Sequence, residues 1–127
     1  MSLQTPLARA RGLGSAKEGL HHWWMQRVTA VALLPLTLWL VYAIACIADA
    51  GYKTVIEELS SPLNSSLIIS LIIAAFYHAA LGMQIVFEDY ISSKPKRIVC
   101  IVTTNLLLFF LAVTGVFSIV RIVLGGH

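Results

Sequence analysis

One histidine stands alone in a long apolar run. Residues 67–87 read LIISLIIAAFYHAALGMQIVF, and His78 is the only side chain among them that titrates near neutral pH. An imidazole is costly in hydrocarbon and marks a functional site by default. Three roles suit it. A neutral ring nitrogen can ligate a metal cofactor such as haem, the ring can relay protons, or it can simply hydrogen-bond a neighbouring helix. Just past the run come Glu88, Asp89 and Tyr90, where the helix meets water. A phenol beside a carboxylate can donate and accept hydrogen bonds there, which suits the head group of a quinone whose tail stays in lipid. An interfacial tyrosine can equally be a plain anchor, and Glu88 reads as a solvated helix-end charge. The other polar group is HHWWMQR at 21–27. Arg27 is either a cation for a carboxylate, such as a haem propionate, or a side chain snorkelling to the head groups. His21 and His22 either join it or sit in the interface with Trp23 and Trp24.

Helical geometry relates these residues to one another. At 100° and about 1.5 Å per residue, Ala74 and Gly82 flank His78 on nearly the same face. The imidazole therefore projects between two small residues, which suits close approach of a large flat ligand or of another helix. Asp89 is eleven residues on, close to the same line and about 16 Å away along the axis. That is roughly half the hydrocarbon thickness, so His78 belongs near the midplane and Asp89 at the surface. A haem held by two histidines needs a second imidazole at similar depth. His21, His22 and His127 all fall at membrane edges, and Met83 points to another face. Two axial ligands would therefore require a second polypeptide, identical or not.

The elements that must position these groups are helices in a bilayer. The chain has 127 residues, 58% hydrophobic and only 12% charged, against about 25% charged in soluble domains. Its mean hydropathy is +0.84. Three apolar stretches, about 28–48, 67–87 and 98–120, are each long enough to cross once, which predicts an all-α membrane protein of three transmembrane helices. Residues 1–127 then form a single anchor domain, with 1–20 loosely ordered. The first stretch is too long for a signal-peptide core and reads as a retained span rather than a signal or transit peptide. Pro35 falls inside it, where neighbouring helices can satisfy the freed carbonyl. A short surface helix is expected around 54–59, ended by the Ser-Ser-Pro turn, and Pro95 suits the start of the third helix.

Seven of the nine Lys and Arg residues lie before the first span or between the second and third. The positive-inside rule puts the N-terminus and the 88–97 link in the cytoplasm and the C-terminus in the periplasm. The net charge of +3 accordingly concerns topology and lipid head groups rather than nucleic acid. Cys46 and Cys100 have no metal-type spacing, and on this topology they sit near opposite membrane faces.

Two blocks resemble a known family. HHWWMQRVTA, 21–30, has a histidine six residues before an arginine that opens the first helix. YHAALGMQIVFEDYI, 77–91, fits the pattern H-x-x-x-G-[M/L]-x-x-x-x-x-D-Y. Together with three spans they resemble the hydrophobic membrane-anchor (D) subunit of succinate dehydrogenase, respiratory complex II. The resemblance implies that His78 is an axial ligand of haem b, with the other histidine supplied by the cytochrome b556 subunit. It implies that Tyr90 hydrogen-bonds ubiquinone with Asp89 in support, and that Arg27 and His21 lie near the haem propionates, with His22 the rival for His21's place. Flavin and iron–sulfur clusters would reside in two soluble subunits, the flavoprotein and the iron–sulfur protein, docked on the cytoplasmic face. Succinate chemistry has no place in this chain, which lacks a nucleotide fingerprint and a cluster-forming cysteine set. The implied location is a bacterial inner membrane, with the mitochondrial inner membrane second. Two rival readings are a fumarate reductase-type cytochrome b anchor and a non-haem structural or transport subunit. The lack of further buried charges weighs against a transport path.

Overall fold

The computed structural model describes Leu7 and residues 17–125, and among these it is built from helices alone. In chain order they are α1 (Lys17–Ile47), α2 (Tyr52–Ser60), α3 (Pro62–Tyr90) and α4 (Lys94–Val123). The three long helices have 31, 29 and 30 residues. At about 1.5 Å per residue each exceeds 40 Å, enough to cross hydrocarbon and head groups together. Each is long and apolar enough to span a membrane. The expected short helix is present as α2.

The spans are longer than the apolar windows suggest. Helix α1 begins at Lys17 rather than Val28, so HHWWMQR is helical, and the expected loose segment 1–20 is helical from Lys17 onward. The rest of that segment, apart from Leu7, lies outside the described residues, as do Arg9, Arg11 and His127. Helix α3 begins at Pro62 rather than Leu67 and runs on to Tyr90; α4 spans 94–123 rather than 98–120. Hydropathy marks where lipid ends, whereas a helix continues until its backbone is stopped. Here Ser61 and Ser93 provide the breaks in extended conformation, each followed by a proline in the first turn of the next helix, where a missing N–H costs nothing. Helix α1 runs straight through Pro35 as one element.

The loose carbonyls and amides at the helix ends are partly tied. The Ser61 backbone N–H donates to the carbonyls of Glu57 and Glu58 at the end of α2. Asn64 donates to the Glu58 carbonyl at 3.0 Å and to its carboxylate at 2.8 Å, fastening α2 to α3. Across the other end, Arg97 of α4 reaches the Glu88 carbonyl at 3.4 Å.

Helix α3 is the hub. It packs against both α1 and α4, which make no comparable contact with each other. Among the described residues only Thr29, Ser65 and Leu81 are buried. Large apolar side chains such as Leu38, at 72% exposure, cover the outside. In water such a surface would be an association hazard. In lipid it is the expected state, because apolar side chains gain nothing by leaving hydrocarbon, and helices meet through small and polar residues instead. Gly115 of α4 shows how close that meeting is: a Cβ built there would lie 3.4 Å from Ile72 of α3.

Gly115 is thus a spacer between α3 and α4. Gly115→Ala is expected to be tolerated, whereas Gly115→Leu should cost about 1–3 kcal/mol by overpacking. Thermal melting of the purified membrane protein in detergent will check the difference.

Candidate functional site between α1 and α3

Helices α1 and α3 run antiparallel. Thr29 is twelve residues into α1 and His78 twelve residues before the end of α3, so they meet at one depth. The contact is a 2.9 Å hydrogen bond between Thr29 Oγ1 and His78 Nδ1. Thr29 is 7% exposed. Its hydroxyl also reaches the carbonyls of Met25 at 2.9 Å and Gln26 at 3.1 Å. A hydroxyl has one hydrogen to give and lone pairs to receive. Carbonyl oxygens cannot donate, so three acceptors compete for one hydrogen: the two carbonyls and, in one tautomer of His78, Nδ1; in the other tautomer Nδ1–H donates to Thr29 Oγ1. The Gln26 side-chain amide points at Nε2 from 3.4 Å, longer than an ordinary N–H donor distance.

His78 borders a cleft of about 540 Å³ whose other walls include His22, Trp23, Gln26, Arg27, Ala30 and Ile85. At 100° per residue, His22, Gln26 and Thr29 fall within about 60° of one another on α1. His21 lies a further 100° round; it is exposed and does not line the cleft. Two buried polar atoms here have no partner: His22 Nε2 and Gln26 Oε1. Such atoms ordinarily find hydrogen bonds. The Arg27 guanidinium adds positive charge and stacks 5.6 Å from the Trp23 ring centre, a cation–π arrangement that holds it along the wall. Opposite, Gly82 keeps α3 slim. A Cβ there would come 3.7 Å from the Gln26 amide nitrogen.

Among the described residues no cluster of three or more His, Cys, Asp or Glu could hold a metal ion. The cleft offers two imidazoles, His22 and His78, and no carboxylate or thiolate among its lining residues. An iron porphyrin, which supplies four nitrogens of its own, matches that donor set better than a bare ion does.

Tyr90 and Asp89 are elsewhere. They end α3 about 18 Å from His78 along the helix axis, and Tyr90 is 85% exposed. The structure does not bring them to the cleft, and no other element covers them. A second, larger groove of about 790 Å³ runs between α3 and α4; its lining is apolar except for Tyr77 and Asn105.

Gln26 in the cleft wall and Thr29 beside it went unnoticed in the sequence. Their signal is their spacing from His22, readable once helix α1 is extended back through the tryptophans.

Fold and site define a class: a small membrane anchor of three crossing helices, with a polar seam at mid-depth and a phenol–carboxylate pair at the water edge. The chain belongs to the succinate dehydrogenase/fumarate reductase transmembrane subunit family, whose profile matches residues 1–120. It is 40% identical over 100 residues to the succinate dehydrogenase hydrophobic membrane anchor subunit of Rickettsia bellii, covering 79% of this chain and 80% of the relative. The succinate dehydrogenase membrane anchor subunit of Reclinomonas americana is 34% identical over 88 residues, 67% of this chain and 73% of the relative. The Paracoccus denitrificans hydrophobic membrane anchor subunit is 26% identical over 122 residues, 96% and 94% of the two chains. The resemblance carried by residues 21–30 and 77–91 is thereby confirmed at the level of family and of membrane-anchor subunit.

Proposed function

We propose that this chain anchors succinate dehydrogenase in a bacterial inner membrane, holds one side of a haem b and contributes to a ubiquinone site. The observation that carries the haem assignment is the cleft itself. His78 borders it, two buried polar atoms there lack partners, and Arg27 lines it as well. These groups fit a porphyrin with acidic side arms. His78 would be the axial ligand, with Gln26 turning aside. Arg27 and His22 would hold the propionates, and Gly82 would leave room for the flat face. His21 lies outside the cleft, so His22 is the better placed of the adjacent pair. The second axial histidine would come from a cytochrome b556 subunit, because this chain has no other imidazole at that depth. When bound, the haem supplies a one-electron centre in a low-dielectric bundle.

The remaining roles follow from depth. Tyr90 can donate a hydrogen bond to a quinone carbonyl at the membrane edge, and Asp89 can orient that head group or accept a proton. Both side chains are exposed, so the rest of such a pocket would come from the partners: the cytochrome b556 subunit in the membrane and the iron–sulfur subunit docked over the edge, with the flavoprotein beyond it. The basic residues put the N-terminus and the 91–93 link on the cytoplasmic side by the positive-inside rule. Rickettsia and Paracoccus relatives support the bacterial inner membrane.

A structural role for His78 rests on the same two hydrogen bonds, which already join α1 to α3. The two readings separate cleanly. In the assembled complex, His78→Ala should abolish the reduced b-type absorption band; a complex without that band before mutation would leave only the structural role. Tyr90→Phe should reduce quinone reduction about tenfold, the worth of one hydrogen bond of about 1–1.5 kcal/mol. Succinate oxidation by an artificial soluble acceptor should stay intact. Equal loss of both activities would point to failed assembly.

A further inference from the structure

We propose that Thr29 is a positioning residue for His78, fixing the orientation of its ring and raising the donor strength of Nε2; this rests on the haem reading above. The geometry is specific. Thr29 is one of only three buried residues among those described, and its hydroxyl is held by two carbonyls of its own helix. A ring that gives Nε2 to a metal carries its hydrogen on Nδ1, and Thr29 Oγ1, 2.9 Å away, would accept it. The result is a chain of hydrogen bonds: Nδ1–H to Oγ1, and Oγ1–H to the Met25 carbonyl. Each bond polarises the next. Electron density withdrawn from the Nδ1–H bond accumulates on the imidazole, so Nε2 becomes a stronger donor, the usual effect of a partner on the far nitrogen of a ligating histidine. A stronger donor favours the oxidised metal. Thr29 thus lowers the reduction potential of any iron that His78 ligates. It also stops the ring from rotating, because Oγ1 is fixed by the helix and cannot follow.

The side-chain type matters. Valine has the same shape without the oxygen. Serine keeps the oxygen without the second methyl. Among the described residues no other polar side chain makes a hydrogen bond to Nδ1.

The test uses the intact complex carrying Thr29→Val or Thr29→Ser, with haem content, midpoint potential and low-spin ferric EPR as readouts. Thr29→Val should retain haem and shift the oxidised-to-reduced ratio about tenfold toward reduced, a rise of about 59 mV for one electron, with altered EPR g values. Thr29→Ser should restore both. If the valine variant loses haem while the serine variant keeps it at the original potential, the hydroxyl is again shown to be needed. Haem retained in Thr29→Val with unchanged potential and g values overturns the proposal. So does a change that serine fails to reverse, which would assign Thr29 to packing alone. Absence of haem from the unmutated complex would instead sink the cofactor reading on which this one stands.

Discussion

Hydrocarbon offers no hydrogen bonds, so a polar side chain within it must find its partner in protein. The pairing of His78 with Thr29 meets that requirement and sets much of the architecture. An imidazole near the middle of α3 has to face another helix. The helix it faces must bring a polar partner to the same depth, and α1 does so with the Thr29 hydroxyl. Register and the α1 face turned inward agree with this 2.9 Å contact. The line of His22, Gln26 and Thr29 is the consequence: once Thr29 points in, helical spacing carries the other two with it.

The remaining packing is thin. A soluble bundle of this length would bury many leucines and phenylalanines, whereas here the described core is Thr29, Ser65 and Leu81. Helices in lipid are held by close fit and polar contacts, not by the exclusion of water from apolar faces. Gly115 against Ile72 serves the first need; the seam between α1 and α3 serves the second. An arrangement in which α3 touches two neighbours that barely touch each other leaves long open sides. That form suits a subunit completed by others, and the unpartnered polar atoms of His22 and Gln26 say the same at atomic scale.

Much of this was legible in the sequence. The three spans, the short helix between the first two, the helix start near Pro95 and the depth of His78 follow from hydropathy, proline chemistry and helical rise. What hydropathy could not supply was the true start of α1. Arg27 and two histidines lower the apolar score, so the window closes at Val28, yet the backbone stays helical back to Lys17. With the helix taken to start at 28, His21 and His22 are equivalent and Gln26 belongs to no face. With the helix taken from Lys17, the choice falls on His22, and Gln26 and Thr29 join it. The contact between His78 and Thr29 was beyond sequence reasoning altogether, since it depends on which side of the ring meets the hydroxyl.

The separation of His78 from Tyr90 has its own logic. Both are on α3, about 18 Å apart along the axis, and both are polar groups in an apolar helix. Reduction of a quinone consumes protons as well as electrons, and protons are available at the water edge but not at mid-bilayer. On the proposed reading the phenol and carboxylate therefore belong where α3 ends, beside water. A metal centre that only accepts and returns single electrons needs no proton and gains from a dry surrounding, where fixed dipoles act with little screening. One helix can serve both demands because its rise converts sequence distance directly into membrane depth. The eleven intervening residues, AALGMQIVFED, are mostly apolar, so within α3 no relay of ionisable side chains links the two sites. In the proposed reading, coupling between them would then be electronic, and each proton taken up by the quinone would enter from the edge where Asp89 stands.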